Sequence, residues 1–187
     1  MGAPAVEIWR WSADAFERAG EVGLFGHGVH AELIDGEVHV MSPQTPQHAY
    51  VLRVLLDAVA GMQDGYTATI QSPVRLSDQT EPAPDLCISV GPRERYADHH
   101  PGPEDIRLVV EVSVASLGYD LGDKLRSYAR HAVPEVWVID VAHRQVLVYR
   151  APEASQGAYA QVEARTVGRV ECLGLEVDIG DLWPAQG

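Results

Sequence analysis

Two acidic residues stand where a soluble chain rarely keeps them. Glu111 sits within the run Leu108-Val109-Val110-Glu111-Val112-Ser113, and Asp85 heads the apolar run Asp85-Leu86-Cys87-Ile88-Ser89-Val90. An ionised carboxylate buried among such neighbours costs several kcal/mol unless it is paired or binds a metal. Period-2 alternation puts Val109, Glu111 and Ser113 on one face of a strand and Val110 and Val112 on the other. If the two runs are neighbouring strands, Asp85 and Glu111 converge. Two carboxylates, a strand carbonyl and water make a hard oxygen site suited to Mg²⁺ or Mn²⁺. The plain alternative is a buried ion pair with an Arg, or an Asp capping a loop.

A third residue joins them. The 14 basic residues are 13 Arg and one Lys, Lys124. It follows Glu111 by 13 positions and falls in the first turns of the next helix. Such a helix can aim an ammonium at the polar face of the strand. Alternatively, Asp120 and Lys124, spaced i, i+4, form a surface pair worth a few tenths of a kcal/mol.

The elements that must position these groups are readable. Ser12 caps a helix over Ala13 to Glu21. Asp35-Gly36 between His30–Ile34 and Glu37–Met41 predicts a hairpin. Thr45-Pro46 opens a helix that runs to about Gly61. Thr67 to Leu76 reads as a strand, and Ser77 to Pro84 as a loop. After the strands at Asp85–Val90 and Arg107–Ser113, a helix is expected over Tyr119 to Ala132, ended by Pro134. Glu135–Val141, Gln145–Arg150, Tyr159–Ala164 and Val170–Val177 read as strands. No linker or repeat divides the chain, so one domain over 1–187 is expected.

In order, Glu32-Leu33-Ile34-Asp35-Gly36-Glu37, Met41-Ser42-Pro43, His48, Pro82-Ala83-Pro84-Asp85-Leu86, Leu108 to Ser113, Asp120 to Leu125, Tyr128-Ala129 and Val133 to Asp140 resemble the bacterial Uma family of candidate endonucleases. That family is similar in fold to restriction endonucleases, the PD-(D/E)XK nuclease superfamily. The resemblance implies an α/β (α+β) restriction-endonuclease-like domain, a central mixed β-sheet flanked by helices, with an extra N-terminal hairpin and C-terminal strands. It implies metal-dependent phosphodiester hydrolysis, with DNA as the substrate. Asp85 and Glu111 match the metal ligands, Val112 would lend its carbonyl, and Glu32 would complete the metal shell. Ser113 stands where the superfamily usually has Lys; Lys124 matches a Lys moved to the next helix. His48 and Tyr128 match positions expected to pack or support. Family members commonly read Glu-Val-x-Ser-Pro-Ser after the strand, and this chain lacks that Pro. A homodimer follows from fold analogy alone.

Composition sets limits. The net charge of −13 opposes polyanion binding, which is driven by Lys and Arg replacing counterions. Arg93, Arg95, His99 and His100, with Arg126, Arg130 and His131, either form a basic rim or are scattered solvated charges. His99-His100 is not expected to form a zinc site, because adjacent residues do not easily share one metal. The two cysteines suggest neither a disulfide framework nor a zinc site. No apolar run nears a membrane span, and Met1 to Trp11 lacks the pattern of a signal peptide, so a cytoplasmic protein is expected. Two rivals to a nuclease stay open. One is a catalytically silent binding or structural dimer of the same fold. The other is a metal-dependent phosphoesterase acting on a small substrate, which suits the acidity better.

Overall fold

The computed structural model describes residues 7–26 and 28–184. The part of the leader reading that falls on residues 1–6 lies outside them. A six-stranded sheet in the order β3-β4-β5-β6-β7-β8 forms the centre. Its strands are β3 (Tyr66–Ile70), β4 (Leu86–Val90), β5 (Ile106–Ser113), β6 (Glu135–Asp140), β7 (Gln145–Glu153) and β8 (Ala158–Arg165). β5 and β6 pair in parallel, and the other neighbours pair antiparallel. The parallel pair requires a crossover, which the segment carrying Lys124 supplies.

The sheet is covered on both sides, which explains the near-continuous apolar β5. On one face Leu86, Ile88, Leu108, Val110 and Val112 pack with Val51, Leu52 and Leu55 of α2 (Pro46–Val59), and with Leu175 and Val177 of β10 (Leu175–Asp178). On the other, Cys87, Val109, Val136 and Val138 pack with Tyr128 and Ala129 of the crossover. Glu111 shares the parity of Val109, so it points to the crossover side, as the alternation predicts.

The first helix, α1 (Ala13–Glu21), begins at Ser12, whose hydroxyl accepts from the Ala15 amide. Thr45 caps α2 in the same way through the His48 amide. β1 (Ala31–Ile34) and β2 (Glu37–Val40) form the expected hairpin, with Asp35 and Gly36 at φ 49° and 77°. Gly36 is required twice over, since an added Cβ would lie 2.7 Å from Cβ of Arg10.

Three expectations need correction. The strand foreseen over Thr67 to Leu76 stops at Ile70, where Gln71 turns to φ 49°. That turn sends the chain away from the sheet and aims the Gln71 amide at Asp85. The segment read as one strand over Val170 to Val177 is a hairpin of β9 (Arg169–Cys172) and β10, turned at Leu173 and Gly174 with φ 53° and 79°. The helix expected over Tyr119 to Ala132 is three pieces: α3 (Leu117–Tyr119), a π-helical segment (Asp120–Lys124) and α4 (Leu125–Arg130). The break is at Gly122, whose φ and ψ of −94° and −111° are not helical.

Candidate active site

β4 and β5 pair antiparallel with Leu86 opposite Val110, which brings Asp85, just before β4, beside the Glu111–Val112 stretch of β5. Asp85 closes the link by accepting the Val112 amide at 2.8 Å. The crossover brings Lys124 down over Glu111, and the N-terminal hairpin brings Glu32 to meet it. Lys124 Nζ lies 2.9 Å from Glu32 Oε1 and 3.0 Å from Glu111 Oε2. The four charged side chains predicted from the sequence are all buried, at 2–9% exposure. They border one open cavity of about 610 Å³, which Val112 also lines.

The acids differ in their partners. Asp85 also contacts His48 Nε2 and accepts from Gln71 Nε2, both at 3.1 Å. Burial pushes its carboxyl up, but His48, the Val112 amide and Gln71 outweigh that and hold it below the usual range. Glu111 accepts from the Tyr128 hydroxyl at 2.6 Å as well as from Lys124. Burial drives its carboxyl well above the ordinary value; Lys124 opposes this, while Asp85 and Glu32 reinforce it. Burial would lower the Lys124 ammonium, yet Glu111 and Glu32 more than compensate and keep it charged.

Glu32 is committed elsewhere than expected. Its Oε1 takes Lys124 and the Ala83 amide, and its Oε2 faces the Tyr119 hydroxyl at 3.4 Å. Among the described residues, Glu32, Asp85 and Glu111 do not gather with one oxygen each within 4.8 Å of the others. Nor is Lys124 the exposed partner of Asp120: it is 2% exposed and its ion pairs go to Glu32 and Glu111. Asp120 instead accepts from Ser116 at 2.6 Å.

Gln71, Tyr119 and the Ala83 amide are not foreshadowed in the sequence, because nothing in their spacing ties them to the acids. His48 and Tyr128, expected to pack or support, have their partners in Asp85 and Glu111. The basic rim does not form. Arg93 pairs with Glu94, Arg95 with Asp105, Arg126 with Asp123 and Arg130 with Asp35. None of these lines the cavity, whose basic lining among the described residues is His30, His39, His48 and Lys124.

The fold has a solved counterpart. The crystal structure described as "a putative nuclease belonging to DUF820" from Anabaena variabilis superposes with a TM-score of 0.67 at 17% identity, covering 91% of this chain and 96% of that one. No curated protein matches. The model of the Uma2 family, described as "Putative restriction endonuclease", matches residues 13–180. With the expected family pattern laid along the expected sheet, and that match spanning nearly the whole chain, this protein belongs to the Uma2 family.

Proposed function

We propose that this chain is a divalent-metal-dependent phosphodiesterase acting as an endonuclease on DNA. One observation carries the reading: a buried, charged Lys124 is held against Glu111, and Asp85 lies across the strand pair, all at one cavity. The donor set fits a hard cation. Burial drives the Glu111 carboxyl up, and Asp85 and Glu32 add to that, so a dication at Glu111 would favour the ionised form where one ammonium does not suffice. Asp85, Glu111 and the Val112 carbonyl would hold it. A bound Mg²⁺ or Mn²⁺ would lower the pKa of a water and neutralise charge developing on the phosphate.

The chain's own groups divide the remaining work. Lys124 stays protonated at neutral pH, so it serves as a hydrogen-bond donor to the water or to the phosphoryl oxygen and not as a base. Glu32, itself met by the Tyr119 hydroxyl, holds that ammonium in place. His48 and Gln71 keep Asp85 ionised and oriented toward the cavity.

The test is cleavage of plasmid and single-stranded DNA with Mg²⁺ or Mn²⁺, comparing wild type with Asp85→Asn, Glu111→Ala and Lys124→Ala. Wild type should cleave, EDTA should stop it, and each variant should lose about 100-fold or more. Equal cleavage by all four proteins would refute the assignment. The acidic chain and the missing basic rim favour one other reading, a phosphodiesterase for small substrates. It would hydrolyse a chromogenic phosphodiester, with the same residue dependence, while leaving DNA intact.

A further inference from the structure

A second cluster lies away from the cavity. Glu17 of α1, Glu81 of the segment between β3 and β4, and His100 of the β4–β5 connection each offer one ligand atom, all within 4.8 Å of one another. None of the three lines the cavity described above. Backbone hydrogen bonds tie the segments that carry them. Ala13, at the start of α1, donates to Asp78 at 2.7 Å, and Arg75 donates to Pro101 at 2.9 Å. The backbone segments that carry the cluster are therefore fixed to one another by the fold.

Glu81 makes it unusual. The residue is 3% exposed, its Oε2 has no donor among the described residues unless one of the two acids is protonated, and burial together with facing Glu17 pushes its carboxyl up to about 8. Its neighbours are a second carboxylate, Glu17, and an imidazole. Arg75 lies at the edge, 3.5 Å from Glu17 and also paired with Asp14. A buried carboxylate oxygen without a donor is costly, and one facing another acid is more so. We infer that Glu17, Glu81 and His100 form a second cation site that takes a zinc-class divalent ion.

The ligand chemistry separates this site from the cavity. An imidazole nitrogen with two carboxylates suits Zn²⁺, whereas an all-oxygen set suits Mg²⁺. One dication against two glutamates leaves no net charge. The three ligands come from three separate segments, so the ion would clamp α1 and the β4–β5 connection onto the segment that leads into Asp85. The adjacency of His99 and His100 is no guide, because only His100 joins the cluster and its partners are distant in sequence.

The experiment is zinc titration of the metal-free full chain by calorimetry, with thermal melts alongside, for wild type, Asp85→Asn, Glu81→Gln and His100→Ala. Asp85→Asn, which cripples the cavity, should still bind one equivalent and show a raised Tm. Glu81→Gln and His100→Ala should each weaken that binding by about tenfold or more, since losing even a supporting partner of a ligand costs that much. If Glu81→Gln does not fold, His100→Ala decides alone, because His100 is only half-buried and its loss leaves the core intact. Absence of zinc binding by Asp85→Asn would overturn the inference. So would zinc affinity and Tm shift unchanged in His100→Ala.

Discussion

At the scale of single residues, the site turns on how two of its three carboxylates share one ammonium. Glu32 and Glu111 both hold Lys124, while Asp85 is held by neutral donors and His48. On the proposed function, Glu32 would position Lys124, while Asp85 and Glu111 would hold the metal. Substituting Glu32→Gln should lower kcat by about 100-fold, the usual cost of misplacing a reacting group by an ångström. Mn²⁺ affinity should stay as in wild type, whereas Asp85→Asn should weaken it. A Glu32→Gln protein that lost Mn²⁺ affinity as severely as Asp85→Asn would make Glu32 a ligand. The Lys124–Glu111 link is legible in the sequence, since both lie on one strand–crossover unit. The link to Glu32 spans 92 positions, and no local periodicity reports so distant a contact. Only family resemblance points to Glu32, and there with a different role.

At the scale of elements, the turns that frame the sheet depend on a few satisfied polar groups. Asp140, at the end of β6, accepts the His143 amide at 3.1 Å, the His143 ring at 2.7 Å and Gln145 Nε2 at 2.9 Å. Burial opposes ionisation, but these donors outweigh it and hold the carboxyl below its ordinary value. A depressed folded pKa gives stability that is present above the unfolded value near 4 and lost as pH falls through the folded one. Asp140→Asn should therefore cost about 1–2 kcal/mol at pH 6, and clearly less at pH 3. Urea melts at the two pH values measure this, and an equal cost at both would show that charge plays no part. The same turns mark where sequence reading succeeds. Ser12, Thr45 and Asp35-Gly36 announce their elements because caps and tight turns are local chemistry. Gln71 and Leu173 do not, because a non-glycine residue at positive φ is set by what surrounds it. The break at Gly122 is hidden by an apolar spacing that continues across it.

At the scale of the whole molecule, charge constrains what the cavity can hold. The chain carries −13, and Arg95, Arg126 and Arg130 are paired with neighbouring acids and do not line the cleft. A nuclease that grips duplex DNA by 6–10 phosphate contacts loses about 10³–10⁵ in affinity between 50 and 200 mM salt. On the proposed function, the phosphate would meet Lys124 and the metal and little else, so few counterions would be released on binding. The log of KM for duplex cleavage against the log of salt concentration, at fixed Mn²⁺, should have a slope magnitude of about 2 or less. A slope near 6 would reveal an extended basic surface at odds with the paired arginines. A shallow slope would fit an acidic protein that takes a polyanion at one phosphate only. Attraction would then be confined to the reacting phosphate, and repulsion from the rest of the surface would be screened beyond about 10 Å at ordinary salt. Raising salt from very low values should therefore first improve KM, as repulsion is screened, before the weak local attraction declines. A curve that falls from the lowest salt upward would mean the substrate is steered in by positive charge, and would count against this picture of the cleft.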